Sequence, residues 1–419
     1  MGSAVLPLLL AVLLLAAPAQ AGEPAAEARP SRPPLIIRDP NSLPPLEELI
    51  RGGLTSSAHG DLAGASRAWQ RIREHYPEHP AGPVYEIHTL EARKSLDVQD
   101  DRYDAALRAK ASEAIALAEA WLSRVPDDPE AHFYAGRAKY ALMIVTGMAG
   151  EYYRAGTTGE RGRKHLERAL ELEPSLVDAK LPLGSYYYYT SVASRFIRWF
   201  SWLWFVPTGE HDLGLAYVQE VSRDGDLLRF DADLKLVQFY LYLEDRPDLA
   251  APILTRLHAR YPENSQIAFE VVELKLLQED YAGAVEQALE LERGQGTQFG
   301  DATRRAMAKL WRARAELLRG RLDRAEAVLA ELEQRPEALS SWSTRWLLLT
   351  RGHLQDVRGR RAEAIAYYER VIELKSRWDS VRSVKLARQG LEQPFRLEPT
   401  ESAAVIGALQ PPRSEPVHP

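Results

Sequence analysis

The sequence contains no cysteine among its 419 residues and only 4 methionines. The lack of thiols excludes disulfide bonds, thiolate metal sites and a lipid-modified N-terminal cysteine. Neither sign of charge dominates, since 53 Lys and Arg face 59 Asp and Glu and leave a net charge of −6. We therefore predict no nucleic-acid partner, because proteins that bind nucleic acid usually present a strongly basic surface.

Residues 4–19 form an apolar run that is too short to span a bilayer comfortably. The Ala19-Gln20-Ala21 sequence that follows has the small-x-small pattern of a signal-peptidase site. We predict a signal peptide over residues 1–21, cleaved after Ala21, and an exported periplasmic or extracellular protein that is not a lipoprotein. The stretch before the run lacks Lys and Arg, so an uncleaved anchor is the alternative.

Proline-rich stretches flank the rest of the chain. Residues 22–43 read as a flexible lead-in and residues 394–419 as a disordered tail, because closely spaced prolines prevent continuous helix. Between them, residues 44–393 show helical apolar spacing interrupted by turns. We predict that this central region forms one array.

A small residue followed twelve positions later by a proline occurs four times in the central region. The pairs are Ala65/Pro77, Ala114/Pro126, Gly162/Pro174 and Ala250/Pro262. Each small residue lies in a run with helical apolar spacing, and each proline ends that run. This self-similar pattern predicts an α-solenoid, in which helical hairpins bury surface by stacking on their neighbours.

Four further small residues extend the pattern at Gly214, Ala284, Ala325 and Ala364. Each of the eight would let two helix backbones approach closely, while apolar residues four and seven positions later fill the groove between hairpins. The interval is 34 residues from Ala250 to Ala284 but 52 from Gly162 to Gly214. We therefore predict about eight hairpins, with extra residues between the paired helices in the early units.

Several segments resemble tetratricopeptide repeats, among them RALELEPSLVDAKLPLG, EDYAGAVEQALELE and GRRAEAIAYYERVIELK. The 34-residue step matches the period of that family, although most units are degenerate. The resemblance implies an all-α fold, an α-solenoid of degenerate hairpins that forms a right-handed superhelix. It also implies a surface that binds protein or peptide partners.

Residues 183–243 are similar to a narrower group, the tetratricopeptide repeat protein 39 and inclusion-body-clearance family. The similarity covers a Gly-aromatic helix, a Trp- and Phe-rich linker and the turn Gly209-Glu210-His211-Asp212-Leu213-Gly214. The turn departs from the family pattern at its acidic positions. This resemblance implies no enzymatic activity.

Ten aromatic residues fall within residues 186–205, in an insertion that we place at about 186–210. Two arginines in this segment would each cost about 2.5–3.5 kcal/mol at a bilayer centre, which argues against a membrane span. Packing between hairpins, a groove for a partner and contact with a membrane interface remain open. Four consecutive tyrosines sweep about 300° of a helix, so we expect at least one buried and one exposed. The candidate binding residues are Tyr186, Tyr187, Tyr188, Tyr189, Arg195, Arg198, Trp199, Trp202 and Trp204.

No catalytic, cofactor or metal site is predicted. The glycine-rich run that ends at Lys164 continues with His165, where a phosphate-binding loop needs Ser or Thr. His75 and His79 have helical spacing, but Pro77 between them prevents a shared metal ion. Residues 301–390 carry 20 Lys and Arg against 12 Asp and Glu, which indicates either a surface for an anionic partner or a solvated exterior with ion pairs.

These features predict an exported, non-enzymatic scaffold that binds a protein or peptide in the cell envelope. One alternative is a peripheral membrane protein that uses residues 186–205. Another is a small-molecule-binding accessory protein of a transporter, which would need a pocket beside the tyrosines.

Overall fold

The computed structural model describes residues 45–95, 101–192, 210–294, 301–374 and 382–397. These residues form seventeen α-helices and no strand. The helices are α1 (Leu46–Ala58), α2 (Leu62–His75), α3 (Ala81–Lys94), α4 (Asp104–Arg124), α5 (Pro129–Met148), α6 (Tyr152–Leu172), α7 (Lys180–Val192), α8 (His211–Asp224), α9 (Arg229–Gln238), α10 (Pro247–Arg260), α11 (Ser265–Leu277), α12 (Tyr281–Arg293), α13 (Asp301–Leu318), α14 (Leu322–Glu333), α15 (Ser341–Val357), α16 (Arg361–Glu373) and α17 (Arg382–Glu392).

Consecutive helices pack in pairs, so α1–α16 make eight hairpins and α17 covers the last one. The odd-numbered helices also contact one another, as α1 contacts α3, α3 contacts α5 and α13 contacts α15. Helices that lie this close on one side of a curved stack form its inner layer, and the even-numbered helices form the outer layer. The all-α solenoid of about eight hairpins predicted from the sequence is therefore confirmed.

Each of the eight small residues lies in an even-numbered helix and is buried. A Cβ atom on Gly214 would lie 2.6 Å from the backbone nitrogen of Tyr188 and 2.7 Å from the carbonyl oxygen of Gly184. Only glycine permits α7 and α8 to approach this closely. Pro77, Pro126, Pro174 and Pro262 each follow the last residue of an even-numbered helix by two positions. A proline there cannot continue the helix, so the pattern marks helix ends as predicted.

The third hairpin differs from the sequence prediction. Its extra length lies within the two helices, since α5 has 20 residues and α6 has 21, and only residues 149–151 separate them. Glycines suggested a longer connection, but they serve helix packing. A Cβ atom on Gly162 would lie 3.2 Å from the Gly136 carbonyl oxygen, and one on Gly159 would overlap Met143.

The first hairpin also contacts hairpins five and six, far along the chain. The Arg51 guanidinium lies 2.6 Å from the Asp226 carboxylate, and Asn264 Nδ2 donates to the Ala58 carbonyl oxygen at 2.9 Å. His59 Nδ1 lies 3.4 Å from Glu263 Oε2, in the turn that leads into α11. We call these contacts the closing seam, because they join the start of the array to its middle.

Two large apolar cores divide the array. The first extends from Leu49 in α1 to Leu274 in α11, and the second from Ala268 in α11 to Ala387 in α17. Helix α11 contributes to both cores. Among the described residues, no helix combines the length and the apolar character needed to cross a membrane.

Candidate functional site

The four consecutive tyrosines lie in the last two turns of α7. Tyr186 and Tyr188 are buried, and Tyr187 and Tyr189 are half-buried. The Tyr187 hydroxyl donates to Glu167 Oε1 at 2.5 Å. The run does divide by helix face, but none of its members is exposed, because α6, α8 and α9 surround α7. The tyrosines therefore pack within the array, and the binding role assigned to them stays a prediction.

Tyr188 lies at the centre of a polar contact between α7, α8 and the segment after α9. Its ring stacks on Phe239 with centroids 3.7 Å apart, and its hydroxyl donates to Glu244. His211 Nε2 lies 2.7 Å from the same carboxylate, and Asp212 and Glu244 raise the pKa of His211. The π-helical segment Phe239–Leu243 brings Phe239 and Glu244 to Tyr188. These contacts involve Tyr188 and His211, which lie on either side of residues 193–209, and those residues are outside the described chain.

The other predicted binding residues fall within that range. Their structure lies outside the described residues, and their role stays a prediction. They are Arg195, Arg198, Trp199, Trp202 and Trp204.

A group of titratable side chains meets on the inner helices of the first half. We call it the inner polar cluster, and it crosses from hairpin two to hairpin five. His88 Nε2 on α3 lies 2.7 Å from Asp231 Oδ1 on α9, although 143 residues separate them. The Arg137 guanidinium on α5 lies 4.8 Å from the centroid of the Tyr85 ring. The cluster consists of Tyr85, His88, Glu91, Arg137, Asp231 and Lys235.

The charges within the inner polar cluster act on one another. Burial disfavours the charged form of His88, but Asp231 outweighs burial and raises the pKa of His88 above 6.5. The pKa of Asp231 is lowered in turn: burial alone would raise it, but His88, Arg137 and Lys235 outweigh burial. Each partner therefore favours the charged form of the other, and the pair joins α3 and α9 across the inner side of the array.

Glu91 marks the open end of the inner polar cluster. The surrounding protein raises the pKa of Glu91 by desolvation, although His88, Arg137 and Lys235 oppose the shift. Its side chain nevertheless remains exposed to solvent. Along α3, exposure increases from buried Tyr85 through His88 to Glu91.

Tyr189 joins the predicted tyrosine run to this cluster. The Lys235 ammonium lies 5.7 Å from the centroid of its ring, within the range of a cation–π contact. Burial raises the pKa of Tyr140 well above 10, and Tyr189 and Glu91 add to the shift. Of the predicted binding residues that the structure describes, Tyr189 is thus the one that lies next to the inner polar cluster.

A second group of acidic side chains lies on the following inner helix. The Tyr242 hydroxyl donates to Glu270 on α11. Burial, together with the neighbouring Glu273, raises the pKa of Glu270 to about 8. Tyr242 itself is 39 % exposed. The inner layer therefore offers both buried and accessible polar groups along α3, α5, α7, α9 and α11.

Several basic residues of the second half form ion pairs. Arg312 pairs with Glu292, Arg319 with Glu316 and Arg361 with Asp356. Arg358 contacts both Asp323 and Glu326. Such pairs are those expected of a solvated exterior with compensating acids, although Arg304 and Arg345 are buried, and both interpretations stay predictions. The glycine-rich run that ends at Lys164 is part of α6 and forms no loop.

The inner polar cluster was missed by sequence reasoning. Tyr85, His88 and Glu91 follow one another at three-residue intervals on α3, so they form a polar stripe on a helix that is otherwise largely buried. That stripe could have been noticed. Its partner Asp231 could not, because the pairing depends on how five hairpins curve. Among the described residues, no group of three or more His, Asp or Glu side chains has the arrangement of a metal site.

Comparison with known proteins identifies no family. No protein-family model matches the chain, and no curated protein matches it. Solved structures do match, at low similarity. The APC/C hetero-tetramer Cut9–Hcn1 has 13 % sequence identity, with 84 % of this chain and 57 % of that chain covered and a TM-score of 0.47. This chain thus spans little more than half the length of that protein.

Two further structures are similar over most of both chains. Yeast Tom70 has 13 % identity, 87 % and 83 % coverage and a TM-score of 0.35. A tetratricopeptide repeat protein from Parabacteroides merdae has 12 % identity, 82 % and 98 % coverage and a TM-score of 0.30. At this level of similarity the fold assignment rests on the chain's own hairpins. The narrower resemblance of residues 183–243 stays a prediction.

Proposed function

We propose that the protein is an exported, non-enzymatic scaffold that binds a protein or peptide partner along its inner helices. The observation that supports this is the convergence of accessible polar and aromatic side chains on that layer. Lys235 on α9 lies next to Tyr189 on α7 and interacts with Glu91 on α3, and Tyr242, in the segment after α9, contacts Glu270 on α11.

The location of the residues that stack the hairpins also supports a binding role. The eight small residues that hold the hairpins together all lie on outer helices. Side chains on the inner layer can therefore vary in chemistry while the stacking of the hairpins is kept. An extended peptide or a helix would fit such a surface.

Site-specific photocrosslinking in the native host tests this proposal. A photoreactive phenylalanine at Glu91 or Tyr242 samples the inner layer. The same residue at Gln70 on α2 or Glu286 on α12, which are exposed outer positions, serves as the matched control. We expect a discrete crosslinked partner from the inner positions alone. Equal crosslinking from outer positions, or crosslinking only there, would contradict the proposal.

The compartment is tested separately. Export predicts a mature N-terminus at Gly22, which N-terminal sequencing of the purified native protein would detect. Recovery of the protein with residues 1–21 still attached, in the cytosolic fraction, would remove the export part of the proposal and leave the binding part standing.

A further inference from the structure

The chain continues past its last helix as a short segment that lies on the array. Helix α17 ends at Glu392, and residues 393–397 follow it without helical structure. The Phe395 ring stacks on His353 of the inner helix α15, with centroids 3.9 Å apart and planes 11° from parallel. The Phe395 backbone N–H donates to Asp356 Oδ2 at 2.8 Å. The segment therefore occupies the end of an inner helix.

The segment contacts the array with every second side chain. Phe395 and Leu397 are half-buried, whereas Pro394 and Arg396 are exposed. Leu397 Cδ1 would lie 3.8 Å from a Cβ atom on Gly320, in the turn between α13 and α14. Two successive hairpins thus share the contacts, and the alternation is that of an extended peptide bound on a protein surface.

The carboxylate that accepts from the segment is held in place by other residues. The Asp356 side chain is 0 % exposed and lies 3.0 Å from the Arg361 guanidinium. It also accepts from the Tyr368 hydroxyl at 2.7 Å. Cβ atoms on Gly352 and Gly390 would overlap the Tyr368 ring, so α15 and α17 fix that ring between them. The carboxylate therefore keeps its position and two partners when the segment is displaced.

The segment lies outside the apolar core of the second half. That core extends to Ala387 and includes Leu391 as a partly buried neighbour, both in α17, but it does not include Phe395 or Leu397. Displacement of the segment would uncover one face of the buried His353 ring and leave the helices packed. Another peptide can therefore take its place without separation of the hairpins.

We propose that His353, Asp356 and the turn at Gly320 form a docking site for an extended peptide, and that residues 394–397 occupy it as an internal ligand. The partner peptide carries an aromatic residue and, two positions later, an aliphatic one, and its backbone N–H donates to Asp356. The C-terminal segment competes with this peptide for the site. The proposal rests on the proposed peptide-binding function and assigns it one site in the second half.

Peptide binding by the purified full chain tests this proposal. The probe is a fluorescein-labelled, amidated peptide of residues 391–397, LEQPFRL, and fluorescence anisotropy reports its binding. Phe395→Ala empties the site, so this variant should bind the probe about tenfold more tightly than the wild type, the factor expected if the segment fills the site about nine-tenths of the time. Arg396→Ala is the matched control, since it changes an exposed neighbour and should bind as weakly as the wild type.

A second variant and a modified probe make the test independent of one substitution. Leu397→Ala removes the other half-buried contact and should also increase the affinity for the probe, and thermal melts check that each variant keeps its fold. A probe with alanine in place of its phenylalanine should not bind. A probe with a photoreactive phenylalanine at that position should crosslink to α15 near His353.

Two results would overturn the proposal. One is equal affinity, or equal lack of binding, in the wild type, Phe395→Ala and Leu397→Ala, which would make the segment only a structural end of the array. The other is crosslinking of the photoreactive probe outside α15 and the turn at Gly320. Neither result depends on crosslinking at Glu91 or Tyr242 in the host, so failure of this site is distinguished from failure of the scaffold function.

Discussion

The two halves of the array use their inner layers differently. In the first half, the inner helices bring His88, Asp231 and Arg137 together, and the closing seam joins hairpin one to hairpins five and six. In the second half, the inner helices α13 and α15 pack tryptophans against each other, with the centroids of Trp311 and Trp346 5.3 Å apart. Both inner layers enclose polar groups, since α15 buries Arg345 and His353, but the first half also joins hairpins that are distant in the chain.

The difference shows that the stacking of the hairpins does not by itself determine the contacts of the inner layer. Both halves use the same small residues on outer helices, so the outer layer determines the stacking in each. The contacts of the inner helices depend on how strongly the array curves and on which helices face one another across the curve. Four predictions test this comparison.

The largest effect is expected for Trp69→Ala in the first core. Trp69 is 0 % exposed, stacks on Tyr85 and donates to Thr89 at 2.8 Å. Removal of a buried aromatic ring of this kind costs about 3–5 kcal/mol. Hydrogen exchange should show protection lost from α1–α10 and kept in α13–α17. Trp311→Ala is the matched change in the second core and should give the reverse; equal loss throughout in both variants would mean that the halves unfold as one unit.

A smaller loss is expected for Gly214→Ala, which tests the close approach of α7 and α8. The new Cβ would overlap backbone atoms of Tyr188 and Gly184, so the helices must separate at a cost of about 1–3 kcal/mol. Gly52→Ala in α1 is the control, because its Cβ would meet nothing within 4 Å. That change should stabilise the helix by up to about 1 kcal/mol. Denaturant melts give both values, and similar values for the two variants would refute the close-approach argument.

Two histidines should respond oppositely to pH, His88 in the first half and His353 in the second. The folded-state pKa of His88 lies above 6.5, so its contribution is complete below pH 6.5 and is lost as the pH rises through the folded value. Burial, with Arg314 nearby, holds the pKa of His353 well below 6.5. Its contribution is present above pH 6.5 and is lost as the pH falls. NMR titration of the two imidazoles measures both pKa values. Displacement of both from 6.5 in the same direction would contradict this prediction.

The smallest effect is expected for Arg168→Ala on the outer layer of the first half. Arg168 pairs with Asp127 at 2.8 Å and Glu171 at 3.0 Å, but all three side chains are exposed. Exposed pairs contribute about 0–1 kcal/mol and weaken with salt. Arg351→Ala in the second half should cost more, because the Arg351 side chain is only 6 % exposed while it pairs with Glu326 and Glu333. Melts at low and high salt compare the two variants.

The hairpin boundaries were predictable because their causes are local. A small residue permits close approach, and a proline two positions past a helix end stops it, so Ala250 and Pro262 could be read directly from the sequence. The length of the third hairpin was predicted wrongly. Gly159 and Gly162 suggested a loop, but each is required by a neighbouring side chain or backbone within the hairpin.

The contents of the inner layer could not be predicted in the same way. His88 and Asp231 are 143 residues apart, and their contact depends on the summed rotation of the intervening hairpins. The tyrosine run shows the same limit. Helical spacing divides Tyr186–Tyr189 among faces, but only the packed neighbours decide that Tyr188 is buried against Phe239 and that Tyr189 faces Lys235.

The closing seam has a consequence for how such a chain can change in length. In an open array, a terminal repeat contacts only its neighbour and can be removed or duplicated at either end. Here Asn264, which caps α11 through the backbone amides of Gln266 and Ile267, also holds the carbonyl oxygen of Ala58. Loss of the first hairpin would therefore remove contacts that the sixth hairpin makes. A change in the number of hairpins past α11 would leave these seam contacts in place, whereas the first half must be inherited as one piece.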